Sequence, residues 1–223
     1  MRTAWPPLPA AHPPIHSLAD IEALERVPLE ERIWSWNVND WIERGWAHAP
    51  SKAAIHFLQD ADPNETPETV TFAQLRHRSY QAANLFHSLG MGPADAVLAL
   101  LPSVPQLYYA QFGGIAAGVA CSVNWMLKPE QVLDLVKNAR TRVLVVLGPT
   151  PGYEIWENIQ SIRARLPENV RVLSVQALGG TKLPDSDFDT LLAGQPGDKL
   201  NFTRKIGPDD LAGYVHSGGT TGS

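Results

Sequence analysis

Three short apolar runs decide the fold: AVLALL at residues 96–101, VACSV at 119–123 and RVLVVL at 142–147. Each run has the length and apolar character of a buried strand, and a longer segment of helical character separates it from the next. Further runs at residues 171–175 and 210–215 continue the alternation. Strands that alternate with helices form parallel sheets covered on both faces. The chain is therefore predicted to be α/β, a doubly wound three-layer αβα fold with a mainly parallel sheet.

Cap and stop signals predict where the helices begin and end. Thr71 with Gln74 three residues later forms a capping box, and Gly90 is suited to end the same helix. Ser17 and Asp20 give a similar signal for a short first helix. The other expected elements are a strand over residues 53–58 paired with 69–71, and helices from Asn37 or Asn39 to about Ala49, from a Ser103 cap to about Ala117, and over residues 129–139, 153–165 and 188–192.

The amino-terminal part differs in composition from the rest. Residues 1–14 hold five of the nineteen prolines, so residues 1–16 are predicted to form a proline-rich flexible arm before a domain over residues 17–223. Four tryptophans follow within thirteen residues: Trp34, Trp36, Trp41 and Trp46. Such a cluster can stack on bases or sugars. It lacks basic neighbours, however, and we expect its rings to pack a helix onto the core.

Composition excludes several classes of protein. The chain has 223 residues, 44% hydrophobic and 18% charged, which is too apolar for a disordered tail. Its net charge of −5 argues against nucleic acid as a partner. The single cysteine, Cys121, excludes a disulfide framework and is expected to be a buried, inert thiol. No apolar signal peptide follows Met1, so a cytoplasmic location is predicted.

No membrane span, metal site or paired acid–base residues are predicted. Residues 96–127 carry no charge, but Pro102 and Pro105 interrupt them, and a strand, a helix and a second strand explain the run without lipid. The seven histidines lack metal-ligand spacing. The acidic clusters are expected to be solvated faces: Glu22, Glu25, Glu30 and Glu31 in one, and Asp185, Asp187 and Asp189 in the other.

Residues 215–223, VHSGGTTGS, are the most informative part of the chain. They follow an apolar strand at the edge where α/β sheets bind ligands. Their glycines let backbone N–H groups turn inward as an anion nest, and their hydroxyls can bind phosphate oxygens. The alternative is a flexible tail. The candidate nucleotide-binding residues are Ser217, Gly218, Gly219, Thr220, Thr221 and Gly222.

The two common nucleotide-binding fingerprints are absent. Gly113, Gly114 and Gly118 are expected within a helix rather than between a strand and a helix, so they do not match G-x-G-x-x-G. We expect them to allow that helix to approach the sheet or a neighbouring helix closely. A G-x-x-x-x-G-K-[ST] loop is also missing from the sequence.

Residues 216–222 resemble the phosphate loop of the adenylate-forming superfamily, which comprises acyl-CoA synthetases, luciferases and peptide-synthetase adenylation domains. The histidine and double glycine are similar to a variant found in some bacterial fatty-acyl-CoA synthetases. Colinear blocks support the resemblance from about Trp34 to Ser223: VTFAQL at 70–75, ANL at 83–85, LG at 89–90, DAV at 95–97, LP at 101–102, GVA at 118–120, VN at 123–124 and KPEQ at 128–131. Gly218 replaces the commonest serine, and Trp125 follows Asn124 where proline is usual.

The resemblance implies an ATP-dependent acid–thiol ligase. It implies that ATP and coenzyme A are co-substrates and that Mg²⁺ is a cofactor. The substrate would be a carboxylic acid, with a fatty acid favoured, and the loop residues would bind the phosphates. His216 is expected to flank the nucleotide. The sequence stops before the proline and lysine that usually follow the loop. The chain is therefore expected to be an incomplete amino-terminal AMP-binding domain that holds no catalytic residue and is inactive alone.

Two alternatives remain open from the residues. The chain could be a non-catalytic nucleotide-binding module made from an adenylation half-domain. It could also be an interaction module in which the tryptophan-rich first fifty residues form the binding surface and the α/β part is a scaffold.

Overall fold

The computed structural model describes residues 14–33, 35–60, 62 and 64–215. Two short helices and a longer one come first, followed by a hairpin and then by alternating strands and helices. The elements are α1 (Leu18–Glu25), α2 (Leu29–Arg32), α3 (Val38–His48), β1 (Ala53–Phe57), β2 (Glu68–Thr71), α4 (Phe72–Ser88), β3 (Ala96–Leu100), α5 (Pro105–Ala117), β4 (Val119–Ser122), α6 (Pro129–Asn138), β5 (Thr141–Leu147), α7 (Ile155–Ile162) with a 3₁₀ turn at Arg163–Arg165, β6 (Arg171–Val175), α8 (Phe188–Ala193) and β7 (Gly213–Val215).

A five-stranded parallel sheet forms the centre of the fold, in the order β6-β5-β3-β4-β7. Strands β1 and β2 pair separately as an antiparallel hairpin. Every residue of β3 and every residue of β5 except Arg142 is buried, as expected for strands covered on both faces. The predicted α/β fold with a parallel sheet is confirmed.

The strand order determines which helices share a face. The connections β3–α5–β4 and β6–α8–β7 move across the sheet in one direction, whereas β4–α6–β5 and β5–α7–β6 move in the other. Parallel crossovers are right-handed, so the two directions place their helices on opposite faces. The contacts agree, because α4 packs on α5 and α8, while α6 packs on α7. The three-layer arrangement follows.

The predicted capping boxes are both present. Thr71 Oγ1 accepts from the Gln74 backbone N–H at 3.2 Å, and the Gln74 side chain accepts from the Thr71 N–H at 2.8 Å. Gly90 has φ +84° just after α4, a conformation that glycine adopts without strain. The predicted Ser103 cap is wrong. Val104 occupies the cap position of α5 without a side-chain hydrogen bond, since Pro105 at the first helical position begins the helix.

Close packing between helices explains the glycines of α5. A Cβ atom on Gly113 would lie 2.5 Å from the Ala82 Cβ and 2.8 Å from the Ala83 backbone nitrogen, both on α4. A Cβ on Gly114 would overlap the side chain of Val97 in β3. The expected close approach is confirmed at both positions. Gly118 is not within the helix but follows it, as the residue that joins α5 to β4.

The tryptophans of the amino-terminal part lie at the surface rather than in the core. Trp36 is 54% exposed and Trp41 is 42% exposed. The guanidinium carbon of Arg76 lies 4.2 Å from the centre of the Trp46 ring. Trp34 lies outside the described residues. The buried residues of helix α3 are Ile42 and Arg44 rather than a tryptophan. The expectation that the rings pack this helix onto the core is therefore wrong for the three described tryptophans.

Removal of the α4 cap should destabilise the whole domain. We expect Thr71→Ala to lower the free energy of unfolding by about 1 kcal/mol, because it leaves a backbone N–H at the start of a well-buried helix without its acceptor. The matched control is Ser17→Ala, which removes the same type of cap from α1, a helix with no buried residue. Urea denaturation should show no change for the control. An equal loss in both variants would contradict this account.

Candidate functional site

The predicted loop begins where β7 ends, at the carboxyl edge of the sheet. The register pairs Ala120 with Gly213, Cys121 with Tyr214 and Ser122 with Val215. The chain therefore leaves β7 beside the loop that follows β4. The candidate residues come directly after Val215 and lie outside the described residues: Ser217, Gly218, Gly219, Thr220, Thr221 and Gly222, together with His216.

Strand β7 contributes little burial of its own. Its three residues are exposed, with Val215 90% exposed and Tyr214 41% exposed. It pairs on one side with β4, and the backbone hydrogen bond from Ala120 N to Ala212 O, at 3.0 Å, marks where that pairing starts. The place where the loop begins therefore depends on the segments that lead into β7.

The loop after β4 holds a compact turn and an aromatic pair beside this edge. The Asn124 side-chain oxygen accepts from the Met126 backbone N–H at 3.0 Å. The ring of Trp125 lies against Tyr153, with ring centres 5.4 Å apart and planes tilted by 59°. Both rings line an open pocket of about 290 Å³ with Met126 and Glu154. Sequence reasoning gave Trp125 no role, although its departure from the usual proline was visible.

Burial has different effects on the thiol and carboxyl groups outside the loop. Cys121 is buried, which raises the pKa of its thiol, as expected for an inert cysteine.

Asp187 is only 1% exposed, so its assignment to a solvated face is wrong. Burial alone would raise the pKa of Asp187, but hydrogen bonds from Thr190 and the ion pair with Lys182 at 3.2 Å outweigh burial and lower it. Its carboxylate caps α8.

Asp189 also departs from the prediction of a solvated face. Burial raises its pKa, and the Gln106 side-chain amide, which donates to its Oδ2 at 2.9 Å, offsets part of that effect. Its contribution to stability is therefore greatest below the unfolded pKa and is lost as the pH rises through the folded pKa.

We expect Asp189→Asn to raise the free energy of unfolding at pH 7 and to have a smaller effect at pH 4. Asparagine keeps an acceptor for Gln106 but carries no charge to desolvate. Urea denaturation at the two pH values tests this, with Asp185→Asn at an exposed neighbouring position as the control. Lower stability of Asp189→Asn at pH 7 would contradict the assignment.

The described part of the chain holds neither a cluster of metal ligands nor a membrane-spanning helix. Within residues 14–33, 35–60, 62 and 64–215, no three His, Cys, Asp or Glu side chains are grouped so as to hold a metal ion. In the same part of the chain, none of the helices has the length and apolar character needed to cross a bilayer.

Comparison with known proteins identifies the family. The family model described as "AMP-binding enzyme" matches residues 42–223, more than half of the chain. The chain belongs to the AMP-binding enzyme family. This match confirms the resemblance to adenylate-forming enzymes that was based on the colinear sequence blocks.

Two curated relatives of the AMP-binding chain are CoA ligases. The chain is 26% identical over 213 residues to marinolic acid–CoA ligase of Pseudoalteromonas sp. (strain SANK 73390), covering 94% of this chain and 32% of that protein. It is 34% identical over 156 residues to crotonobetaine/carnitine–CoA ligase of Salmonella arizonae, covering 68% of this chain and 28% of that protein. The chain thus spans about a third of the length of these relatives.

Solved structures show the same fold. Acetoacetyl-CoA synthetase from Streptomyces lividans is 26% identical, with a TM-score of 0.70 over 83% of this chain and 29% of that one. The anthranilate CoA ligase AuaEII, in complex with anthranoyl-AMP, is 24% identical, with a TM-score of 0.69 over 83% of this chain and 33% of that one. The five-stranded parallel sheet therefore matches the amino-terminal domain of adenylate-forming enzymes.

Proposed function

We propose that residues 17–223 form the first part of the AMP-binding domain of an ATP-dependent acid–CoA ligase. The observation that carries the proposal is the sequence HSGGTTG at residues 216–222, directly after the last strand of a parallel sheet and inside the family match. The CoA-ligase names of the relatives support it. Residues 1–16 would precede this domain. The cytoplasm stays the predicted location.

The proposed role of the loop is to hold the phosphates of ATP. The hydroxyls of Ser217, Thr220 and Thr221, with the backbone N–H groups around Gly218 and Gly219, would bind the β- and γ-phosphates; Gly222 completes the nest. A carboxylate oxygen of the substrate then bonds to the α-phosphorus while the bond to the bridging oxygen breaks. The electron pair leaves with pyrophosphate, and these donors stabilise its charge.

The second half of the reaction transfers the acyl group to coenzyme A. The thiol sulfur attacks the acyl carbon of the acyl-adenylate, the bond to the AMP oxygen breaks, and the thiol proton is released. Mg²⁺ is usually held by one or two carboxylates together with the phosphates of the substrate. It remains an expectation from the resemblance.

We propose a fatty acid as the substrate. A fatty acid is favoured by the histidine and double glycine at residues 216, 218 and 219. The relatives are named for different acids, among them marinolic acid and crotonobetaine. The panel of acids in the assay below therefore includes other classes of acid.

Product formation by the full-length protein tests the proposal. Purified protein is incubated with ATP, Mg²⁺, coenzyme A and a panel of fatty, aryl and β-keto acids, and acyl-CoA is detected by mass spectrometry. We expect acyl-CoA and AMP in equal amounts, with a fatty acid as the best substrate. ATP binding without any acyl-CoA would contradict the ligase and would instead favour a non-catalytic nucleotide-binding module.

A further inference from the structure

Residues 195–204, called the strap here, lead from α8 toward β7 and are fastened to helices that are distant in sequence. The Gln81 side chain on α4 donates to the Gln195 carbonyl oxygen at 3.0 Å. Farther along the strap, His87 of α4 stacks on Phe202, with ring centres 4.5 Å apart. The strap therefore follows the surface of α4 rather than crossing open solvent.

Asn84 is the central attachment of the strap to α4. Its side-chain nitrogen donates to the carbonyl oxygens of Pro196 at 2.8 Å and Lys199 at 2.9 Å. Its side-chain oxygen accepts from the Asn201 backbone N–H at 2.8 Å. Asn84 is only 2% exposed, so water is poorly placed to replace these bonds. One amide side chain thus satisfies three backbone groups of the strap.

A second attachment lies at the end of the strap. The guanidinium of Arg204 donates through one nitrogen to the carbonyl oxygens of Ile115 and Gly118, each at 2.8 Å. These carbonyls lie at the carboxyl end of α5, where backbone acceptors lack helical partners and a cation is favoured. The strap is therefore held at two points, on α4 and at the α5–β4 junction.

These attachments matter because the strap leads directly into the segment that ends in β7. The strand has three exposed residues and a partner on one side only. The segment between Arg204 and β7 adds one local turn, in which Gly207 N donates to the Asp210 carboxylate at 2.7 Å. Among the described residues, β7 is therefore held by its pairing with β4 and by the segment that leads into it.

We propose that Asn84 is a positioning residue for β7, the strand that leads into the proposed phosphate loop. Asn84 fixes the strap, and the strap fixes the register of β7 on β4, from which the proposed loop residues follow in sequence. The effect on nucleotide binding rests on the proposed function. The effect on β7 does not.

The Asn84→Asp variant tests this role with little change in shape. Aspartate keeps an oxygen to accept from Asn201 but cannot donate, and it places negative charge against the carbonyl oxygens of Pro196 and Lys199. The matched control is Ile159→Ala, or Ile159→Val if it matches better in urea midpoint. Ile159 is fully buried on α7, on the opposite face of the sheet from α4. Its substitution should therefore lower the stability of the domain without changing any contact of the strap.

Two measurements separate positioning from general destabilisation. Hydrogen exchange, followed by mass spectrometry, should show the amides of residues 212–215 exchanging at least about tenfold faster in Asn84→Asp than in the stability-matched control, with β3 and β5 equal in both. In the full-length protein, KM for ATP should rise about fivefold or more, with KM for the acid unchanged. The control should leave both KM values at the wild-type level.

The possible results lead to different conclusions. Equal exchange of residues 212–215 in the two variants would overturn the positioning role. Faster exchange with an unchanged KM for ATP would overturn the link from the strap to the loop. Faster exchange in a protein whose wild type consumes no ATP with any acid would support the positioning of β7 and overturn the proposed function instead.

Discussion

Replacing both Thr220 and Thr221 with alanine should lower acid-dependent ATP–pyrophosphate exchange of the full-length protein by roughly 100-fold or more. The two hydroxyls are proposed to donate to phosphate oxygens whose charge increases as pyrophosphate leaves. Donors placed in advance at such a charge are worth more in the transition state than in the ground state. The loss should therefore be mainly in kcat, measured by incorporation of labelled pyrophosphate into ATP at saturating acid.

The control for the double variant is Thr66→Ala, an exposed threonine in the turn between β1 and β2. It removes a hydroxyl of the same kind outside the proposed loop and should leave the exchange rate unchanged. Exchange within threefold of wild type in the Thr220/Thr221 variant, with its fold intact by circular dichroism, would contradict the role of the loop.

The second large effect concerns the contact between α4 and α5. Gly113→Ala should lower the free energy of unfolding by about 2 kcal/mol. Alanine raises helix propensity by about 1 kcal/mol, but forcing a methyl group into a packed interface costs roughly 3 kcal/mol. The new Cβ would lie 2.8 Å from the Ala83 backbone nitrogen, so a side-chain rotation cannot relieve the clash.

Gly207→Ala is the matched control for this prediction. A Cβ at Gly207 would have the Asp210 carboxylate oxygen as its nearest neighbour, at 3.8 Å, which is ordinary contact. We expect its stability to change by less than about 0.5 kcal/mol. Urea denaturation compares the two variants. A Gly113→Ala protein as stable as wild type would show that α4 and α5 can separate at little cost, against the packing described here.

The central strands β3 and β5 could be predicted closely from the sequence because nearly all their residues are buried. The strand predicted over residues 210–215 is shorter, at Gly213–Val215, and exposed. The apolar run at residues 171–175 became β6 without a shift, and the capping box at Thr71 placed the start of α4 correctly. The sequence did not predict the start of α5 correctly, because Ser103 was a plausible cap and the competing effect of Pro105 was underrated. Signals within a few residues were sufficient to predict the start of a helix or the extent of a buried strand.

Contacts between residues far apart in sequence were not predicted. Asn84 and Asn201 are 117 residues apart, and the sequence around neither one indicates the other. Burial of Asp189 was missed for the same reason, since its partner Gln106 is 83 residues away. The partners of Asp187, by contrast, are close in sequence, and its role as the cap of α8 was overlooked. The loop at residues 216–222 was recognised by resemblance, which indicates phosphate chemistry but carries little information about the acid.

Acid-dependent exchange of labelled pyrophosphate into ATP, without coenzyme A, tests the central proposal most directly. It reports formation of the acyl-adenylate alone, the step in which residues 217–222 are proposed to act. The account predicts exchange by the full-length protein that requires a carboxylic acid and that falls by roughly 100-fold or more when Thr220 and Thr221 are replaced. Exchange that is absent with every acid, or that persists unchanged in the double variant, would contradict it.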